Sequence, residues 1–363
     1  MEMQTIKELT RTFDTDVRGS EVRNSYGTEP AIWLSQILDA AKQRFYFLNF
    51  CYITELQKGQ KEIVIPMRKK YLGSSGVTYA TSTPADGTAV TATVLDNLEG
   101  VTISPAMQAS RVTISNYAIQ VNAVDLIRAA QEELVYSIGD KVDQYIATTI
   151  GDALGSTSSI AYATTLFGGS ATADSGLAAG DVMTTDLVAD ARKALMSKYK
   201  EYRASNTGAA GGATGAVSGL VLGNPWISTP DAPFVLFVGP AQELAFLKDS
   251  QFVNAAEYGS NKVIMNGEIG EYLGIKIIVT NNVEQVASGS EGPDAATANV
   301  NVNMTRCIMM KSQKAAAFCW GKQPSLKFWD NVPQVSQDVV LESAYAASVV
   351  FADAIVFIDV ADA

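Results

Sequence analysis

From Pro30 onward, Leu34, Leu38, Ala41, Phe45 and Leu48 recur at three- and four-residue spacing, one apolar stripe of a predicted helix whose first turn suits proline. The residues before it, Met1 to Glu29, are polar, mixed in charge and weakly periodic. They are expected to form an extended arm that orders against a partner surface. The rings of Phe45, Tyr46, Phe47, Phe50 and Tyr52 read as core, because of the area such side chains bury.

The period then changes to two. Ile63 and Ile65 alternate with Glu62 and Val64 in a strand expected to end at Pro66. A polar excursion over Met67 to Ala89 follows, with Arg68, Lys69 and Lys70 and then Gly73, Gly76, Pro84 and Gly87, too poor in hydrophobes to form a core. Alternation resumes at Val90, Ala92 and Val94, at Val101 and Ile103, at Val112 and Ile114, and at Tyr117, Ile119 and Val121. The whole is hairpin-like, an extended loop over about 62–115. An arm of about 12 residues at strand rise reaches ~40 Å, farther than a domain's own surface requires, and is expected to lie on a neighbouring subunit.

The strongest helical pattern runs from about Ala123 to Leu154, with Ile127, Ala130, Leu134, Ile138, Val142, Tyr145, Thr149 and Ala153 on one face. Asn122 is its candidate cap, Asp125 complements the positive end of its dipole, and Gly139 weakens its middle by about 1 kcal/mol relative to alanine. After a Ser/Thr/Ala/Gly-rich stretch, a second helix is expected from Thr184 or Thr185 to about Arg203, acidic early and basic late. Asn206 to Gly219 reads as a surface loop. Strands are expected at Phe234 to Val238, Ile275 to Thr280, Cys307 to Met310, Ala316 to Trp320 and Ser325 to Trp329, with a short helix at Ala241 to Leu247 after the Gly239-Pro240 turn. The apolar run Ala344 to Val360 is too short to span a membrane, holds Asp353, and reads as core strand. The mixture is α+β.

A length of 363 residues allows roughly two domains, and 47% apolar residues supply a substantial core. With 38 acidic against 27 basic residues the net charge is -11, which opposes general adhesion to nucleic acid or an anionic membrane. Cys51, Cys307 and Cys319 are odd in number and far apart, as in a reducing compartment without a disulfide framework. The N-terminal residues lack the apolar stretch of a secretory signal.

The absence of histidine removes Ser-His and Cys-His nucleophile pairs and every His-ligated metal site, and three cysteines cannot make a four-thiolate site in one chain. Carboxylate pairs such as Glu132-Glu133 lie side by side on a helix without facing each other. Gly267, Gly270 and Gly274 precede a strand where a dinucleotide fingerprint opens a helix, so they read as structural turn residues. Arg68, Lys69 and Lys70 are candidate intersubunit loop contacts. No catalytic, metal or cofactor site is expected.

The order of arm, extended loop, long helix and returning C-terminus resembles the Hong Kong ninety-seven type fold of tailed-virus major capsid proteins. The local matches are LEGVTISPAMQASRVTISNYAIQVNAVDL from Leu98 to Leu126, PFVLFVGPAQELAFLKDSQF from Pro233 to Phe252, and NGEIGEYLGIKIIVTNN from Asn266 to Asn282. The resemblance implies a peripheral domain over 30–154, with a spine helix near 123–154, an axial domain over 155–331, and a return to the peripheral domain over 332–363. It further implies hexamers and pentamers closing an icosahedral shell around double-stranded DNA that is not read by sequence. Portal, scaffold and decoration proteins are the implied partners, with assembly in the host cytoplasm and a final place in the virion. The alternatives are an encapsulin-like compartment shell on the same fold, and an α/β enzyme using carboxylates and a metal, for which the sequence offers no ligand spacing.

Overall fold

The computed structural model describes residues 46–68, 98–121, 125–151, 164–197, 199–203, 217–222, 225–249, 271–293 and 299–362. The arm, most of the helix expected from Pro30, and the polar excursion beyond Arg68 lie outside them. By compactness the chain divides into one unit of Met1–Gln43, Met107–Gly139 and Lys322–Ala344, and a second of Arg44–Ala106, Asp140–Gly321 and Tyr345–Ala363. These boundaries differ from the 30–154, 155–331 and 332–363 segments expected of peripheral and axial domains.

The second unit is built on a mixed sheet. Its strands are β5 (Thr164–Phe167), β8 (Phe234–Val238), β9 (Glu271–Tyr272), β10 (Ile275–Val279), β11 (Glu284–Val286), β12 (Met304–Lys311) and β15 (Ile355–Ala361). They run in the order β5-β15-β12-β8-β10-β9, with β11 added to β12. β8, β12 and β15 are buried along their whole lengths, which is why β8 reads as a continuous apolar run and Cys307 to Met310 of β12 show no alternation. One face is covered by helices α4 (Thr185–Met196) and α5 (Pro240–Lys248), whose Val188, Ala191, Leu195, Ala245 and Phe246 join Phe234, Leu236 and Ile358 in one core. Across β8 the next side chain, Phe237, points the other way and stacks on Phe47 of the short helix α1 (Phe47–Phe50), with ring centroids 4.0 Å apart.

A second sheet has the order β1-β13-β14-β4, from β1 (Tyr52–Glu55), β4 (Ala106–Ser115), β13 (Ala316–Asn331) and β14 (Ser336–Val349). A two-stranded ribbon joins β2 (Ile63–Arg68) to β3 (Leu98–Ile103), and another joins β6 (Tyr199–Arg203) to β7 (Val217–Leu222). Helix α2 (Asn116–Val121) and the long helix α3 (Leu126–Gly151) follow β4. At 26 residues α3 is about 39 Å long.

Several expectations are corrected. Tyr117 to Val121 is helix α2, because Ser115 Oγ accepts from the Tyr117 backbone N–H at 3.3 Å and turns the chain out of β4; six residues are too few for period alone to separate strand from helix. The helix expected to reach Arg203 stops at Met196, and Tyr199–Arg203 becomes a strand because Val217–Leu222 pairs with it, so the expected surface loop also ends earlier. β2 continues through Pro66 to Arg68; each strand of a two-stranded ribbon has a free edge, the setting in which a strand proline is tolerated. The two strands expected at 316–320 and 325–329 are one, and Pro324 is tolerated since β1 pairs with β13 only from Ala317 to Trp320. Ala344 to Val360 is broken by a 3₁₀ turn at Ala352–Ala354 that buries Asp353 between β14 and β15.

Candidate intersubunit surface

Two features present surface that their own unit does not bury. The first is the β2-β3 ribbon. Ile63, Ile65 and Val101 on one face pack with buried Met67 and Ile103 against Ala317, Cys319, Ala346 and Val350. The opposite face, with Val64, Pro66 and Thr102, is exposed. Gly100 sits close beneath this face: a Cβ on it would stand 2.5 Å from Val64 Cγ1 and force that side chain to shift. The core thus fixes the base of the extended loop, while the outer face of the described ribbon stays exposed.

The second is the tip of the β13-β14 hairpin. Phe328, Trp329, Val332 and Val335 are 61%, 70%, 76% and 64% exposed, a cluster of large apolar side chains within eight residues. The tip is nevertheless a built structure. Val332–Gln334 forms a 3₁₀ turn, the Val335 N–H donates to the Val332 carbonyl at 3.3 Å, and Asn331 Nδ2 donates to Gln334 Oε1 at 3.0 Å. The Asn116 N–H donates to the Val335 carbonyl at 3.1 Å. Behind the tip, Leu134, Val339 and Leu341 form a small core with Val112, Ile127, Ile138 and Leu326, so α3 and the hairpin pack as one block.

Ion pairs flank this block. Arg111 Nη2 lies 2.7 Å from Asp338 Oδ2, and Lys322 and Lys327 converge on Glu342 Oε2 at 2.5 and 2.8 Å. Hydrogen bonds from those two lysines hold the Glu342 carboxyl down at about 2. Asp338 is also held below the ordinary carboxylate range, first by its hydrogen bond from Thr113 and then, against the opposing effect of burial, by Arg111.

In the second unit the interior is fixed by buried polar nodes. Arg306 and Asp359, opposite each other on β12 and β15, form a two-pronged pair: Nε to Oδ1 at 2.8 Å and Nη2 to Oδ2 at 2.6 Å, with the guanidinium 5.0 Å from the centre of the Phe357 ring. Asp143 on α3 accepts from the backbone N–H groups of Tyr46 at 3.0 Å and Phe47 at 2.9 Å, and from Asn282 Nδ2 at 2.8 Å. Burial nevertheless raises its affinity for a proton. Lys311 Nζ donates to the carbonyls of Ile227, at 2.6 Å, and Ala232, tying that loop to β12. The thiols are buried, and burial followed by nearby Asp143 pushes Cys51 up to about 12, so it is inert as a nucleophile near neutral pH.

Of the residues singled out from sequence, Gly274 has φ +72 and, with Leu273 at φ 50, makes the two-residue turn between β9 and β10. Arg68 ends β2 opposite Leu98. Gly267, Gly270, Lys69 and Lys70 lie outside the described residues. Sequence reasoning missed the hairpin tip; its signal, Phe328-Trp329 followed by Val332-Pro333 in an otherwise polar stretch, was absorbed into a strand expectation.

An exposed loop base and an exposed apolar tip beside a buried interior describe a protein with surface left for contacts. Residues 99–308 match the family model described as phage capsid protein, more than half of the chain, and the chain belongs to that family. No curated protein matches it in sequence. Among solved structures it is similar to the capsid of cyanophage P-SCSP1u (14% identity, TM-score 0.62, covering 92% of this chain and 93% of that one). It is also similar to the capsid of cyanophage Pam1 (15%, 0.61, 93% and 97%). The capsid of Ralstonia phage GP4 is a third such structure (16%, 0.60, 93% and 96%). Family and fold together identify a major capsid protein of the Hong Kong ninety-seven type, a structural component of a virion, and favour neither the encapsulin-like nor the enzyme alternative.

Proposed function

We propose that copies of this chain assemble into hexamers and pentamers that close an icosahedral shell around the double-stranded DNA of a tailed phage or archaeal tailed virus, and that the chain catalyses no reaction. The observation that carries this reading is the pairing of a family match over residues 99–308 with apolar surface exposed on the hairpin tip. A net charge of -11 favours containment of DNA without sequence-specific grip. In this reading the extended loop, with Arg68, Lys69 and Lys70 at its base, reaches a neighbouring subunit. Gly267, Gly270 and Gly274 shape the approach to β10. Portal, scaffold and decoration proteins complete the particle, and assembly takes place in the host cytoplasm. Sedimentation of the purified chain across a concentration series tests self-assembly. Capsomers or shells appearing cooperatively as concentration rises are expected; a monomer at every concentration, alone and with scaffold present, would remove the reading.

A further inference from the structure

In the second unit, side chains from three separate stretches of the sequence meet at one atom. Asp362 Oδ1, just beyond β15, accepts from the Thr305 hydroxyl of β12 at 2.6 Å and from Gln242 Nε2, in the first turn of α5, at 2.7 Å. Thr305 and Gln242 are each 1% exposed, so bulk water is kept from both. The carboxylate is fixed by its own backbone, since the Asp362 N–H donates to the Asn303 carbonyl at 2.9 Å. Gln242 Oε1 is buried without a hydrogen-bond partner. It lies 2.7 Å from the place a Cβ on Gly239 would take. Gln285, opposite Thr305 on β11, brings its Nε2 to 3.6 Å from that same place.

A hydroxyl and a carboxamide held by one carboxylate oxygen, away from water, are the two reactants and the base of an acyl transfer. We propose that Thr305 and Gln242 join in an ester within the chain, formed with Asp362 as the proton carrier. Thr305 Oγ1 bonds to Gln242 Cδ while its proton passes to Asp362 Oδ1. The carbonyl electron pair moves onto Oε1, an oxyanion favoured by the Gln285 amide beside it and by the positive end of the α5 dipole. As the carbonyl re-forms, the Cδ–Nε2 bond breaks; Nε2 takes the proton from the oxygen it already touches and leaves as ammonia. Hydroxyl and primary amide thus become ester and ammonia with no oxidant or co-reactant. Escape of ammonia draws the reaction forward, and burial protects the ester from hydrolysis. The step consumes its own side chains once, so it modifies the chain and turns over no substrate. It ties α5 to β12 inside one protomer, joins no subunits, and is independent of the capsid reading.

Peptide mapping by mass spectrometry of the full-length chain, purified and aged at neutral pH, is the test. The expected result is a linked pair of peptides, one carrying Gln242 and one Thr305, lighter than their sum by one ammonia. Hydroxylamine, which cleaves esters and spares amides, is expected to separate them. Thr305→Ser keeps the hydroxyl and is expected to link. Thr305→Val is expected not to link, and Asp362→Asn to link about a hundredfold more slowly. Wild type that yields only unlinked Gln242 and Thr305 peptides overturns the proposal, and this map decides even where a variant does not fold. Linkage undiminished in Thr305→Val overturns it too, as does ammonia loss confined to peptides that hold neither residue, the mark of asparagine cyclisation. Assembly does not enter these readouts, so the capsid reading stands or falls separately.

Discussion

Arg306 and Asp359 face each other on the two strands with side chains at 0% exposure, so each compensates the other's buried charge. Arg306→Met strands a buried carboxylate and is expected to destabilise the protomer by about 3–5 kcal/mol in urea unfolding, whereas Arg306→Met with Asp359→Leu recovers most of that loss. Equal losses in the single and double variants would show that the pair is not coupled. Asp143 acts with the opposite pH dependence to a surface ion pair. Burial raises its folded-state pKa above the unfolded value, so the folded chain binds this proton more readily. Its favourable contribution is therefore complete below the ordinary aspartate range and is lost as pH rises through the raised folded value. Asp143→Asn, with the Asn282 amide rotated to present its oxygen, is expected to flatten that part of the stability-pH curve. Asp143→Ala leaves two backbone donors and Asn282 without their acceptor and costs about 1–3 kcal/mol for each group left unsatisfied. An unchanged pH profile in Asp143→Asn would assign the titration elsewhere.

At the scale of elements, the extended loop is separable from the core that anchors it. Arg68 and Leu98 are the last described pair of the β2-β3 ribbon, and replacing residues 69–97 by Asn-Gly closes it with a two-residue turn. The shortened chain is expected to keep the protomer's melting temperature, since Met67 and Ile103 remain buried, and to lose assembly. Retained assembly would show that the loop bridges nothing. Elements with strong internal pattern were legible in the sequence: α3 from its stripe of Ile127, Leu134, Ile138 and Val142, β8 from five consecutive apolar residues, and α5 from Pro240 at its start. Those decided by a partner distant in sequence were not. Tyr199–Arg203 carries the charges of a helix end and becomes a strand because Val217–Leu222 lies beside it, and a 3₁₀ turn at Ala352–Ala354 breaks a largely apolar run that pattern alone reads as one strand. The hairpin tip was illegible for a related reason: Phe328 and Trp329 look like core residues until the fold shows them exposed.

For the whole molecule, the contrast between interior and surface is the informative feature. β8, β12 and β15 are buried from end to end and tied by Arg306-Asp359, while β4 has residues 106–111 exposed on both faces and the hairpin tip is bare. Exposed strand edges and apolar tips invite association, and a protein that presents them is suited to meet copies of itself. Belonging to the phage capsid family gives that association its product, a closed shell. Electron microscopy of purified chain raised above its assembly concentration is the most direct test. The account predicts closed particles of uniform diameter built from six- and five-fold capsomers; a field of separate single protomers, with the same chain folded and concentrated, would contradict it.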